Sequence, residues 1–167
     1  NKNHILLVLQ ERLPPNARVL EIGSGSGQHA LHIAAEMKSI IWQPTERSEG
    51  MPDLEKNLSD YGSPNILTPL QLDLSSEQWP DTDTNCVYSA NVMHIINEKL
   101  GESLVRGVGK NLSEEGLFIL YGPYKYSGDF TTQSNAEFDT WLKERDPNSG
   151  IRDFEWVTDL ANQHGLS

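Results

Sequence analysis

The segment Arg18-Val19-Leu20-Glu21-Ile22, followed at once by Gly23-Ser24-Gly25-Ser26-Gly27 and a helical stretch from Gln28 to Met37, constrains this chain more than any other. An apolar run of strand length, a glycine turn and a helix in immediate succession form the opening of an alternating strand and helix arrangement. The same beat recurs. A second strand, Ser39 to Gln43, ends at Pro44-Thr45-Glu46, and Pro52 to Tyr61 reads as the next helix, with its proline in the first turn where the missing N–H costs nothing. Ile66 to Leu72 forms a third strand ending at Asp73, and Pro69 within it, unable to donate to a ladder, argues for a sheet edge.

Asn85 to Ala90 is a fourth strand, followed by a helix from about Glu98 to Asn111, and Leu117 to Tyr121 is a fifth, ended by Gly122-Pro123. A leading helix from His4 to Leu13 places Ile5, Leu6, Val8 and Leu9 on one side and stops at Pro14-Pro15. Capping-box spacing over Ser134 to Glu137 opens a helix to about Lys143, and another runs from Asp153 to His164 with Phe154, Val157, Leu160 and Ala161 inward and Gly165 as its stop. Alternation at this spacing predicts one α/β domain over residues 1–167, a mostly parallel doubly wound sheet with helices on both faces.

Composition narrows the function. With 37% hydrophobic residues and 13 glycines in 167, the chain has the makings of a packed core. Its net charge of -11 repels phosphate backbones, and no basic patch offsets that, so nucleic acid is not the expected partner. No apolar run reaches the roughly 20 residues of a membrane span, and Asn1 to His4 carry no signal-peptide pattern. The expectation is a cytoplasmic protein with no membrane partner. One cysteine, Cys86, excludes an internal disulfide and reads as a small core residue. His29 and His32 are three apart on one helix, but with no third ligand at useful spacing they read as exposed or capping side chains, and no metal is expected. The four tryptophans read as core or rim.

In an open parallel sheet, ligands bind beyond the carboxyl ends of the strands, and those ends collect Gly23 to Gly27, Glu46, Asp73 and Asn91. Three acids, Glu21, Glu46 and Asp73, stand at the ends of three successive strands. Glycines admit close approach of a nucleoside, an acid ending the second strand can accept both ribose hydroxyls, and one after the third can accept from the adenine amine. A pyrophosphate would want open amides, whereas Glu21 beside the loop suits a cation. The dinucleotide fingerprint would also place its third glycine at Gln28, so an NAD-dependent oxidoreductase is the lesser fit.

These residues, Glu21-Ile22-Gly23-Ser24-Gly25-Ser26-Gly27 with Glu46 and Asp73, resemble the class I S-adenosylmethionine-dependent methyltransferases. More narrowly the chain resembles the DUF938 (UPF0585) family, which includes the vertebrate methyltransferase-like protein 26. That likeness rests on Gly25 to Ala30, Trp42-Gln43-Pro44, Asn91 to Ile95, Tyr121 to Tyr124, Ser134-Asn135 with Phe138-Asp139, and Gly150 to Asp153. The resemblance implies a Rossmann-like methyltransferase fold with S-adenosyl-L-methionine as cofactor and S-adenosyl-L-homocysteine as product. It implies that Gly23 to Gly27 run along the methionine and ribose, with Glu46 on the ribose, Asp73 and Leu74 at adenine, and Asn91 near the methionine amine. Ser24, Gln28, Arg47 and Met93 complete the expected cofactor-binding set. It also places the third strand at an edge, in agreement with Pro69, and adds two strands after the fifth, so the chain is expected to continue beyond both Asn1 and Ser167.

The resemblance implies no substrate. Methyl transfer is an in-line displacement in which alignment can supply on the order of 7–11 kcal/mol without a covalent enzyme intermediate. His94, just past Asn91, is the best-placed base if the acceptor is an amine or hydroxyl, with a packing or capping histidine as the alternative. Tyr124 joins it as a candidate catalytic residue. Tyr121 and Asn135 are candidates for the acceptor pocket, set against core packing and helix opening. Arg152 is a candidate for an anionic acceptor, set against a helix-start salt bridge with Asp153. The leading expectation is a methyltransferase with a small-molecule acceptor. A non-catalytic module that binds the cofactor or its product and acts through a partner is the alternative from another class.

Overall fold

The computed structural model describes all of residues 1–167. In chain order the elements are α1 (Lys2–Arg12), β1 (Arg18–Ile22), α2 (Gln28–Glu36), β2 (Ile41–Glu46), α3 (Met51–Tyr61), β3 (Leu70–Gln71), β4 (Cys86–Ala90), α4 (Glu98–Asn111), β5 (Leu117–Tyr121), β6 (Lys125–Tyr126), β7 (Asp129–Phe130), α5 (Gln133–Arg145) and α6 (Phe154–Gln163). Five strands form one sheet in the order β3-β2-β1-β4-β5. β1 runs parallel to β2 on one side and β4 on the other, with Val19 opposite both Trp42 and Cys86. The chain divides into two compact units, Asn1–Ser89 with Asn111–Ile119, and Ala90–Lys110 with Leu120–Ser167.

In the first unit, β1 and β4 are buried over four consecutive residues each, the mark of strands covered on both faces. Val19, Leu20, Ile22, Trp42, Val87 and Tyr88 form the centre with Ile33 and Leu54 from α2 and α3. α1 buries only Ile5 and Leu9, one turn apart, while Leu7 and Val8 are exposed; the expectation for Val8 fails because the single stripe at i and i+4 leaves it on the outer face.

β2 does not stop at Gln43 but runs through Pro44 to Glu46. Strand and proline coexist because the ladder between β2 and β3 is interrupted beside Pro44. β3 touches β2 at Ile66, lapses, and resumes at Leu70, and Pro69 in the gap also lacks an N–H. The carbonyls left over are served by a side chain: Gln43 Nε2 donates to Thr68 O at 2.8 Å and to Pro44 O at 3.1 Å. The third strand is therefore an edge, as read, but shorter than the predicted Ile66 to Leu72.

In the second unit, α4 and α6 meet through glycines. A Cβ on Gly101 would stand 3.0 Å from both Met93 Sδ and a Trp156 ring carbon, and one on Gly109 would stand 2.5 Å from the His164 carbonyl. α6 buries Val157 and Leu160 as predicted, but Phe154 is exposed and stacks on Tyr126 at a centroid distance of 5.2 Å. Tyr126 belongs to the β6-β7 hairpin, which the sequence reading missed. Its signal was Ser127-Gly128, with φ of 52° and 82°, the two positive φ values of a tight hairpin turn. α5 starts one residue before the predicted Ser134, capped by Thr132, whose hydroxyl accepts the Asn135 amide at 3.1 Å.

Candidate functional site

The glycine loop leaves β1 with Gly23, Gly25 and Gly27 all at positive φ, 73°, 57° and 86°. Gly25 and Gly27 serve different ends. A Cβ on Gly27 would lie 3.0 Å from Leu54 and 3.3 Å from Leu58, so Gly27 is small for the sake of α3 packing. A Cβ on Gly25 would meet nothing within 4 Å, so that glycine's backbone faces open space and its conformation alone calls for glycine.

Glu46, half-buried at the end of β2, reaches this loop. Its Oε2 accepts the Gly25 amide at 2.7 Å and its Oε1 the Arg47 amide at 2.9 Å. Gly50 makes room, since a Cβ there would come within 2.5 Å of Glu46 Cγ. A carboxylate offers about four lone-pair sites, so two backbone bonds leave capacity for two further donors. Asp73, exposed after β3, folds back on its own chain, its Oδ1 accepting the Ser75 amide at 2.8 Å and hydroxyl at 2.7 Å. Those two bonds hold its carboxyl below the usual range, so it is ionised and available as an acceptor. Leu74 beside it is buried, whereas Gln28 and Arg47 are exposed.

Glu21 is placed differently from the reading that set it against a cation. Its side chain is 2% exposed and lies under the loop, with Oε2 accepting from Ser24 Oγ at 2.7 Å and Trp42 Nε1 at 2.9 Å. Ser24 Oγ in turn accepts the Thr45 amide at 3.1 Å, and Thr45 Oγ1 donates to the Glu21 carbonyl at 2.6 Å. Burial pushes the Glu21 carboxyl up from 4.5 to about 7, against the lowering effect of its two donors. Glu21 is thus the brace that ties β1, β2 and the loop together. Trp42, read only as core or rim, supplies half of that brace, and an indole N–H two residues before the Pro44 of β2 gave no sequence signal of its partner.

His29, on α2, is half-buried rather than exposed, its Nδ1 within 2.8 Å of the Tyr88 hydroxyl, and His32 is half-buried with Nε2 unpartnered. No three His, Cys, Asp or Glu side chains are grouped to hold a metal ion. Cys86 is buried, which pushes its thiol up to about 12 and leaves it inert.

In the second unit, Asn91 is exposed at φ 57°, its amide donating to the Tyr121 carbonyl at 2.8 Å. Met93 and His94 are buried at 4% exposure each. The His94 ring meets Phe138 edge-on at 5.4 Å, and its carbonyl accepts the Gly150 amide at 2.9 Å. A Cβ on Gly122 would stand 3.5 Å from His94 Nδ1. Burial, then the charge of Arg152, lowers the His94 pKa, so the imidazole is neutral at pH 7 and able to take a proton. Tyr124 has a buried, unpartnered hydroxyl whose pKa burial pushes up to about 12; it is a hydrogen-bond donor, not a base, at neutral pH. Tyr121 is half-buried, and Asn135 Nδ2 donates to Thr131 Oγ1 at 2.9 Å. Arg152 does not pair with Asp153. Its Nη2 donates to the carbonyls of Ile96 and Asn148 at 2.7 Å each, and its Nη1 lies 3.5 Å from Glu98 Oε1. Asp153 instead meets Lys125 Nζ at 3.4 Å and accepts the Gly128 amide at 3.0 Å.

The strand order and the loop after β1 define the class I S-adenosylmethionine-dependent methyltransferase fold, and solved structures of that kind overlay closely. The methyltransferase SibL in its apo form matches with a TM-score of 0.81 over 99% of this chain and 48% of that one, at 17% identity. An O-methyltransferase described as putative, from Nostoc punctiforme PCC 73102, matches at 0.81 over 99% and 50%, at 18% identity. PigF with SAH matches at 0.79 over 90% and 45%, at 18% identity. The chain spans about half the length of these structures. Residues 1–167 match the family described as protein of unknown function, DUF938, and the chain belongs to that family.

Proposed function

We propose that this chain binds S-adenosyl-L-methionine and transfers its methyl group to a small-molecule acceptor. The observation that carries the reading is the Glu46 carboxylate bonded to the Gly25 amide, which sets a charged acceptor with spare lone pairs beside an open glycine backbone. That pair suits a ribose, and ionised Asp73 followed by apolar Leu74 suits an adenine. The structure solved as PigF with SAH, in the same fold, supports the choice of nucleoside. When bound, the cofactor supplies an electrophilic methyl on a sulfonium.

The chain's own residues then position and deprotonate. Gly23 to Gly27 present backbone to the ligand, held from beneath by Glu21, Ser24 and Trp42. Gln28 and Arg47 flank the loop and Glu46 in the sequence, and Asn91 with Met93 we assign to the methionine end. His94, neutral and fixed by Phe138 and Gly150, takes the acceptor's proton, and the Tyr124 hydroxyl donates a hydrogen bond to the acceptor. Tyr121 and Asn135 shape the acceptor's surroundings. Calorimetry with S-adenosylmethionine and S-adenosylhomocysteine tests the first half: Glu46→Ala weakens both by about 1–3 kcal/mol, and no heat with either ligand sinks the reading. Methyl release from labelled cofactor into a metabolite panel separates an enzyme from a cofactor-binding module without catalysis.

A further inference from the structure

Within the second unit a cavity of about 490 Å³ opens among Lys125, Lys143 and Arg152, floored by Asn148 to Asp153 and walled by Trp156. We propose that this cavity is a binding site for the anionic group of a small molecule, a carboxylate or a phosphate. Three of the chain's 13 basic side chains line it, in a protein with 24 acidic ones. Against them stand two lining acids, Glu98 and Asp153, and the buried Asp139 that pairs with Lys143, so the donors open to a ligand are those of Lys125 and Arg152.

Two of the three cations have only a loose ion pair. Lys125 meets Asp153 at 3.4 Å and Arg152 meets Glu98 at 3.5 Å, with the Glu98 side chain 71% exposed, and pairs of that length and exposure contribute little. Arg152 is also the least hydrated, with 11% of its side chain exposed and its Nε buried without an acceptor. Burial lowers the Arg152 pKa, against the opposing effect of the Glu98 and Asp139 carboxylates. Its guanidinium is fixed by the Ile96 and Asn148 carbonyls, so little side-chain entropy is lost when an anion docks. Lys143 differs, being held at 2.6 Å by the buried Asp139, and adds field more than a free hand. The cavity floor is the same strand of backbone that grips His94, through the Gly150 amide, so the anionic end of a ligand here is anchored one segment from the proposed base. Its identity as the acceptor's anchor rests on the methyltransferase reading; its capacity to bind an anion does not.

Chemical-shift titration of the full chain with succinate and with inorganic phosphate tests the site and tells the two chemistries apart. At least one probe shifts resonances of Arg152, Asn148 and Trp156 saturably, and Lys125→Gln and Arg152→Gln each weaken that binding roughly tenfold, while S-adenosylmethionine affinity is unchanged in Lys125→Gln. Lys125→Gln keeps the test decisive where Arg152→Gln unfolds, because the Lys125 side chain makes only its loose pair with Asp153 and a cation–π contact to Phe130 at 5.8 Å, and its backbone bonds survive the substitution. Saturable shifts absent with both probes, or affinity unmoved in Lys125→Gln, overturn the proposal and leave the cofactor reading standing.

Discussion

Trp42 donates its indole N–H to Glu21 at 2.9 Å, joining two neighbouring strands inside the core directly beneath the glycine loop. A buried carboxylate served by only two side-chain donors is an expensive way to brace a loop, and its cost depends on pH.

The first prediction follows from that cost. The folded-state pKa of Glu21 lies near 7 against 4.5 when free, so between those values the folded protein holds a proton that the unfolded chain has released. Stability therefore falls as pH rises from about 4.5 to 7, by up to about 3 kcal/mol from this group, and levels off above. Glu21→Gln keeps an acceptor for Trp42 and Ser24 without the charge; urea denaturation shows it more stable than the natural protein at pH 8 and flatter across that window.

Trp42→Phe preserves most of the packing and removes the donor. The charged form of Glu21 then has Ser24 alone, and the variant loses about 1–3 kcal/mol at pH 8 with less loss at pH 5, where the carboxyl is protonated. Equal loss at both pH values would assign the effect to packing instead.

Gly25→Ala and Gly27→Ala separate loop conformation from loop packing. Both positions have positive φ, which costs an alanine about 1–2 kcal/mol. Gly27→Ala also presses on Leu54 and Leu58 and loses a further 1–3 kcal/mol or so in chemical denaturation, whereas Gly25→Ala does not. Gly25→Ala instead intrudes on the proposed ligand, so calorimetry shows weakened cofactor binding in a protein whose stability falls only by the roughly 1–2 kcal/mol of its positive φ.

His94→Gln tests the base. Cofactor affinity is retained and turnover falls roughly 10²-fold or more once an acceptor is in hand. Because burial lowers the His94 pKa, turnover of the natural protein holds as pH falls through 6.5 and drops only below it. Turnover preserved in His94→Gln would leave the histidine a packing group against Phe138.

Asp139→Asn probes the support behind His94. Asp139 is 5% exposed; its Oδ1 accepts the Ile151 amide at 2.7 Å while Oδ2 holds Lys143. Asparagine keeps the first bond and loses the ion pair, so thermal unfolding shows a loss of about 1–3 kcal/mol, and Asp139→Ala, which loses both, shows more.

The sequence by itself determined the alternation of strands and helices, the glycine turn after β1, the bounds of β1, α4 and β5, and the acids that end β2 and follow β3. Those features are local: apolar runs, prolines and glycines act within a few residues, so they are visible in one dimension. Only the tertiary structure decided that Glu21 lies beneath the loop, because Trp42, 21 residues away, becomes its partner through the pairing of β1 and β2, while Ser24, three residues on, completes the contact. It likewise decided that Pro44 sits inside a strand, since Gln43 serves the carbonyls that two prolines leave unpaired, and that Arg152 is fixed by carbonyls of Ile96 and Asn148 instead of Asp153. Hydrogen-bond partners across strands and loops carry no periodicity, and burial, which sets the charge state of Glu21 and His94, is a property of the packed whole.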